Sequence, residues 1–282
     1  MGAIALSVLA ALLWGVADFG AGLKSRQVPT LIVVAGMLIV GALAAVATLA
    51  VADPPAIKGR TLLLGLAAGS TTAIGLTSLY RGLAIGPMSV VAPISAAGVM
   101  IPVIAGLATG DQPSVAQGIG VALAIAGMLT VVAWSEDPEQ VIRQGRARAT
   151  AIALAIVGAI GLGVYYLAAH GVRTDQETWF LLVGQLSAGL ALAIGVFGRG
   201  LAIPTGIDRR HIVALGALSF AAWASSTAAV GAGDLSLTAT IVSLYPIVTV
   251  LLAVGLTDES LRGVQILALL AAFAGVGLIA GG

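Results

Sequence analysis

The residues able to do chemistry are few, and they sit where a polar group is costly. Asp18 lies within Leu13-Trp14-Gly15-Val16-Ala17-Asp18-Phe19-Gly20, inside an apolar run over residues 3–23. An ionisable side chain within such a run is a functional-site hypothesis by default, because hydrocarbon does not solvate it. A carboxylate there can exchange a proton or pair with a cationic group. Helical spacing puts Ala11, Trp14, Gly15, Asp18 and Gly22 on one face, small enough to line a cavity or admit a neighbouring helix. The structural alternative is that Asp18, roughly 7 Å beyond the middle of its run, reaches a helix end or meets Lys24 or Arg26.

Other polar and aromatic residues recur deep in apolar runs. Tyr166 stands at the position that an offset of 148 residues aligns on Asp18, with Tyr165 beside it and His170 one turn on. Tyr165 fits an interfacial belt and a cavity equally, and His170 reads as a solvated helix end. Ser70-Thr71-Thr72 with Thr77-Ser78, and Ser225-Ser226-Thr227, are the densest hydroxyl clusters. They either pack helices together or offer neutral hydrogen-bond partners to a polar solute. Trp223, one turn from Thr227, favours a cavity, whereas Trp134 and Trp179 fall at run ends like belt residues. Trp14, Asp18, Tyr80, Tyr166, Trp223, Ser226 and Tyr245 are therefore the candidate cavity lining. Pro93, Pro102 and Pro246 would bend their helices and loosen the carbonyls of Ser89, Gly98 and Val242, which suits hinges as well as simple bent packing. Asp111 and Asp258-Glu259 read as helix N-terminal caps.

The elements that must position these residues follow from composition. The chain has 282 residues, 59% hydrophobic and 9% charged. An ordinary soluble domain is about a quarter charged, so this is an all-α membrane protein. A net charge of +1 with basic residues confined to short loops leaves no footprint for nucleic acid. Cysteine is absent, which removes disulfides, thiolate nucleophiles and Cys-based metal sites. The first run lacks a basic n-region and belongs to the repeat described below, so it reads as a retained helix.

About 20 apolar residues cross a bilayer as a helix, and ten runs reach that length: 3–23, 29–52, 61–80, 86–109, 114–134, 149–170, 178–198, 211–231, 236–256 and 262–281. Pro29, Pro87 and Pro113 read as helix starts. The same offset of 148 aligns Gly15 on Gly163, Thr30 on Thr178, Gly36 on Gly184, Ser78 on Ser226, Gln117 on Gln265 and Gly127 on Gly275. The chain therefore divides into a first five-helix repeat (1–134), a polar linker (135–148) and a second five-helix repeat (149–282). Five spans per repeat is an odd number, so the second repeat enters from the opposite side and the two are inverted. Lys and Arg number ten in loops after odd runs and three after even runs, which puts both termini outside the cytoplasm. Gly65-x-x-x-Gly69 and Gly158-x-x-Gly161-x-Gly163 read as close-packing faces.

The chain resembles the EamA family of the drug/metabolite transporter superfamily. The resemblance rests on Leu13-Trp14-Gly15, on Leu83-Ala84-Ile85-Gly86-Pro87-Met88-Ser89, and on Leu244-Tyr245-Pro246-Ile247 running to Ala253, followed by an acid and then Gln265 to Gly275. It departs at Gly98, where the second half has Pro246, and at Asp111, where Glu is commoner. The resemblance implies a carrier of small metabolites, amino acids or drugs in the inner (plasma) membrane. One buried acid with aromatics and hydroxyls suits a neutral or zwitterionic small molecule, such as an amino acid leaving the cell by alternating access. The alternative is proton-coupled export of cationic drugs, for which Asp18 would be indispensable. No cofactor or metal is expected, protons are a candidate coupling ion, and the bilayer and a small-molecule substrate are the expected partners of a monomer. An intramembrane enzyme would need a recognisable set, yet His-Glu-x-x-His and Gly-x-Ser-x-Gly are absent and His170 and His211 lie near helix ends.

Overall fold

The computed structural model describes residues 2–52, 54–133, 145–257 and 263–281. Among them are twelve α-helices: α1 (Gly2–Gln27), α2 (Thr30–Ala52), α3 (Gly59–Ile85), α4 (Met88–Ala96), α5 (Met100–Thr109), α6 (Val115–Ala133), α7 (Gly145–His170), α8 (Glu177–Gly198), α9 (Gly206–Ala232), α10 (Leu235–Val242), α11 (Tyr245–Leu256) and α12 (Gly263–Gly281). Two 3-10 turns, Ala97–Val99 and Thr174–Gln176, complete the regular structure described. Trp134, Asp258 and Glu259 lie outside the described residues.

The outside of the bundle is apolar like its core. Leu43 and Ile74 are 65% and 61% exposed, whereas Ser226, Thr240 and Thr249 are fully buried. Apolar surface outside with hydroxyls inside is stable only in lipid, and the protein is a multi-pass integral membrane protein. Eight helical segments, α4 with α5 counted as one and α10 with α11 as another, are long and apolar enough to span. The expected count was ten. The runs at 114–134 and 262–281 appear as α6 and α12, whose apolar stretches, Val115–Gly127 and Gly263–Ala272, are shorter.

Helix ends follow local chemistry. The Pro29 carbonyl accepts from Ile32 and Val33 and so opens α2. After α8, Gly200 turns the chain at φ 61° while Leu201 donates to the Val196 carbonyl and Gly200 to that of Phe197. That is the Schellman pattern, which needs a residue without Cβ strain. At the start of α6, Ser114 and Gln117 cap the helix. Ser114 N donates to Gln117 Oε1 at 2.9 Å and Gln117 N to Ser114 Oγ at 3.2 Å, a reciprocal capping box. Helix α7 begins at Gly145, inside the segment read as a linker, and residues 135–144 lie outside the described chain.

The pairings repeat across the two halves. Helix α1 packs on α9 as α3 packs on α7, α2 packs on α8, and α6 packs on α12. The α6–α12 contact is self-equivalent at the residue level. A Cβ on Gly127 would meet Ala268 and Ala272, and one on Gly275 would meet Gly120 and Ala124, each pair related by 148 residues. Glycines elsewhere allow backbone approach, as expected of the ladders: Gly65 and Gly69 face Val183, Gly184 and Ser187, and Gly161 faces Thr71 and Gly75.

Two breaks interrupt the long spans at nearly equivalent places. One is the 3-10 turn between α4 and α5; the other is Ser243-Leu244 between α10 and α11. Pro93 is inside α4, but Pro102 falls in the first turn of α5 and Pro246 is the second residue of α11. The last two are therefore not interior kinks: the chain breaks first, and each proline starts a new helix where its missing N–H costs nothing. At each break a serine donates to the carbonyl three residues back at 2.7 Å, Ser95 to Ala92 and Ser243 to Thr240. The two serines are 148 residues apart, as are the two carbonyls.

Candidate functional site

The centre of the bundle is built from α1, α3, α4, α7, α9 and α11. Asp18 is 1% exposed, and the Tyr80 hydroxyl donates to its Oδ1 at 3.0 Å. The bond bridges α1 to α3, and Tyr80 is itself fully buried. The ion pair considered for Asp18 does not form. Lys24 Nζ turns to Asp208 Oδ1 at 2.9 Å and to Gln27 Oε1 at 2.9 Å, because it lies nearly two turns further along α1, at the end of the helix.

At the aligned position of α7, Tyr166 hydrogen-bonds with Ser226 of α9. Ser226 Oγ also donates to the Trp223 carbonyl at 3.0 Å. Both Tyr166 and Tyr245 lie within electrostatic range of the Asp18 carboxyl. Tyr245, at the start of α11, shares a 2.8 Å hydrogen bond with Ser95 at the α4 break. Thr249 Oγ1, one turn along α11, donates to the Gly15 carbonyl of α1 at 3.1 Å.

Aromatic rings close the remainder. Trp14 and Trp223 meet edge to face at a centroid distance of 4.7 Å, and Tyr245 lies 6.5 Å from Trp14. Tyr165 packs on Trp223 at 3.9 Å and on Phe180 at 5.5 Å, and its hydroxyl bonds Thr227 Oγ1 at 2.6 Å. The indole N–H groups of Trp14 and Trp223 are buried without a hydrogen-bond partner, whereas buried indoles ordinarily find one.

All seven candidate lining residues are thus buried and lie in one region. Three others belong with them. Tyr165 fitted a belt equally well by sequence, and its 4% exposure places it in the interior. Ser95 and Phe180 carried no sequence signal, since a single serine or phenylalanine in an apolar helix is unremarkable. A small void of about 10 Å³ lies beside the rings, lined by Thr72, Tyr165, Phe180, Gln185 and Trp223 among others. That is room for about one water molecule. Trp179 and His170 sit at helix ends, Trp179 Nε1 donating to the Pro55 carbonyl at 2.9 Å.

Comparison with known proteins agrees with this geometry at the level of fold. A solved crystal structure, described in print only as "Crystal structure of protein", superposes with a TM-score of 0.74 at 17% identity, covering 99% of this chain and 98% of that one. None of the curated proteins matches. The EamA-like transporter family, whose members are transporters and not enzymes, matches twice, over residues 1–133 and 149–281. The chain therefore belongs to the EamA-like transporter family.

Proposed function

We propose that this transporter is a carrier for a small zwitterionic solute of the amino-acid kind, which it exports across the inner (plasma) membrane by alternating access. The carrying observation is Asp18, buried and held by Tyr80 alongside two indole N–H groups that lack acceptors. In this reading Asp18 receives the solute's ammonium group, the indoles of Trp14 and Trp223 receive its carboxylate, and Tyr166, Ser226 and Tyr245 complete the polar lining. A multiply charged anion would call for a cation among these groups, and Lys24 is committed to Asp208 and Gln27.

The access cycle rests on ten spans arranged as two inverted halves, with both termini outside. The antiparallel crossings support it. The end of α1 meets the start of α9 through Lys24 and Asp208, and Arg60 at the start of α3 approaches Gly171 just past the end of α7. Pro93, Pro102 and Pro246 flank the breaks in the two discontinuous spans, and rotation there would open one mouth as the other closes. The monomer suffices for this cycle.

A second reading, proton-coupled export of cationic amphipathic drugs, is favoured by the ring density around Asp18, because aromatic faces attract organic cations. A solute screen in proteoliposomes, with and without a pH gradient, separates the two. Amino acids moving independently of the gradient support the first reading, and gradient-driven movement of amines alone overturns it.

A further inference from the structure

The one carboxylate oxygen buried without a partner among the described residues does not belong to Asp18. It is Oε1 of Glu177, the first residue of α8. The start of α8 favours a carboxylate through its dipole, but no hydrogen-bond donor reaches Oε1. The nearby cations are engaged with Asp175, Arg173 at 3.0 Å and Lys58 at 3.7 Å. What faces the oxygen is the last turn of α9. A Cβ on Gly231 would overlap Glu177 Oε1, so the lack of a side chain at 231 is what gives the carboxylate its place. The end of a helix presents unsatisfied carbonyls and partial negative charge. A positive group between that end and the carboxylate would relieve their repulsion.

The position has a direction as well. Trp223, Thr227 and Gly231 recur every four residues along α9, so they line one face. Eight residues of helix cover roughly 12 Å. Trp223 is at the aromatic centre, and Thr227 holds Tyr165, which lies in electrostatic range of Glu177. One helix face thus joins an outer carboxylate to the inner one through ring faces and a hydroxyl, all suited to a passing ammonium group.

We infer that Glu177 and the last turn of α9 form an outer binding site for the solute's ammonium group, from which it passes along Trp223 to Asp18. The site rests on the proposed function for its solute but not for its existence. Phenethylamine, an ammonium group on an aromatic ring, is the probe, titrated against the full chain in lipid nanodiscs.

In an Asp18→Asn background, residual phenethylamine binding is expected, weakened about tenfold further by Glu177→Gln, as for loss of one hydrogen bond to a charged group. Gly231→Ala, which displaces the carboxylate without removing it, should weaken binding in the same direction. Phenylpropionate, which lacks the amine, should not bind in that background. Absence of residual binding, or binding indifferent to Glu177→Gln, overturns the site. Displacement of the probe by equimolar sodium or potassium would assign the site to an inorganic cation and overturn the solute reading. Should Asp18→Asn itself leave phenethylamine affinity unchanged, the inner-site reading fails, and the Glu177→Gln comparison still decides the outer one.

Discussion

Asp18 and Tyr166 occupy equivalent positions on α1 and α7, and each is tied to the third long helix of its own half: Asp18 by Tyr80 of α3 at 3.0 Å, Tyr166 by Ser226 of α9. One scaffold thus carries an acid–phenol pair in one half and a phenol–hydroxyl pair in the other. In the proposed carrier, a solute between them would meet two chemically different walls, as binding a molecule with distinct ends requires.

Tyr80→Phe tests the first wall. It removes the donor to Asp18 and keeps the ring, so packing survives. Hydrogen bonds between helices in a bilayer contribute about 0.6 kcal/mol on average and up to about 1.7 kcal/mol. The protein should therefore unfold slightly earlier on heating, and the pH dependence of transport should change as Asp18 loses its partner. Unchanged thermal stability together with an unchanged pH profile would count against the bond.

The unpartnered indoles give a test of opposite selectivity. Trp14→Phe and Trp223→Phe each remove one N–H and retain an aromatic ring. Affinity for a zwitterion should fall by about tenfold, whereas affinity for the matching amine without a carboxylate should hold. Isothermal titration with both ligands reads the difference, and parallel losses would show that the indoles serve only as packing.

Lys24 and Asp208 form a pair with unequal burial, the lysine side chain 9% exposed and the aspartate 42%. Removing the aspartate leaves a buried ammonium with Gln27 alone, at about 1–3 kcal/mol. Removing the lysine leaves an exposed carboxylate that water solvates, at under about 1 kcal/mol. Thermal unfolding should accordingly rank Asp208→Ala as clearly less stable than Lys24→Met. Equal effects would mean the pair is solvated throughout.

Gly98 explains itself by contact. A Cβ there would overlap the Ala159 carbonyl of α7, so Gly98→Ala must push the α4–α5 break away from α7. Overpacking of this kind costs about 1–3 kcal/mol, visible as a lowered unfolding temperature. Retention of full stability would place more slack at the crossing than the backbone allows.

How legible this was in the sequence depended on range. The helices followed from apolar runs, and Asp18 announced itself by being charged in one of them, whereas which helix packs on which was not read and lies in tertiary contact. Gly98 in place of a second Pro246 looked like a departure, and it is one forced by the approach of α7. Ser95 could not be read, because its meaning is Tyr245, half the chain away, and because a serine in an apolar helix ordinarily bonds its own backbone. The capping box of Ser114 and Gln117 was not read, since local rules allow several capping residues at a helix start. Glu177 carries no signal in the sequence, since an acid at a helix start is commonplace, and its approach to Gly231 is a tertiary contact.

In the proposed carrier, Asp18 binds the solute itself. Counterflow measures that directly: proteoliposomes loaded with the unlabelled solute that the screen identifies, labelled solute outside, and no pH gradient. Internal solute should accelerate entry of label through the native protein, and Asp18→Asn should lower this exchange by about tenfold. Entry indifferent to internal solute, or exchange that persists undiminished in Asp18→Asn, would contradict it.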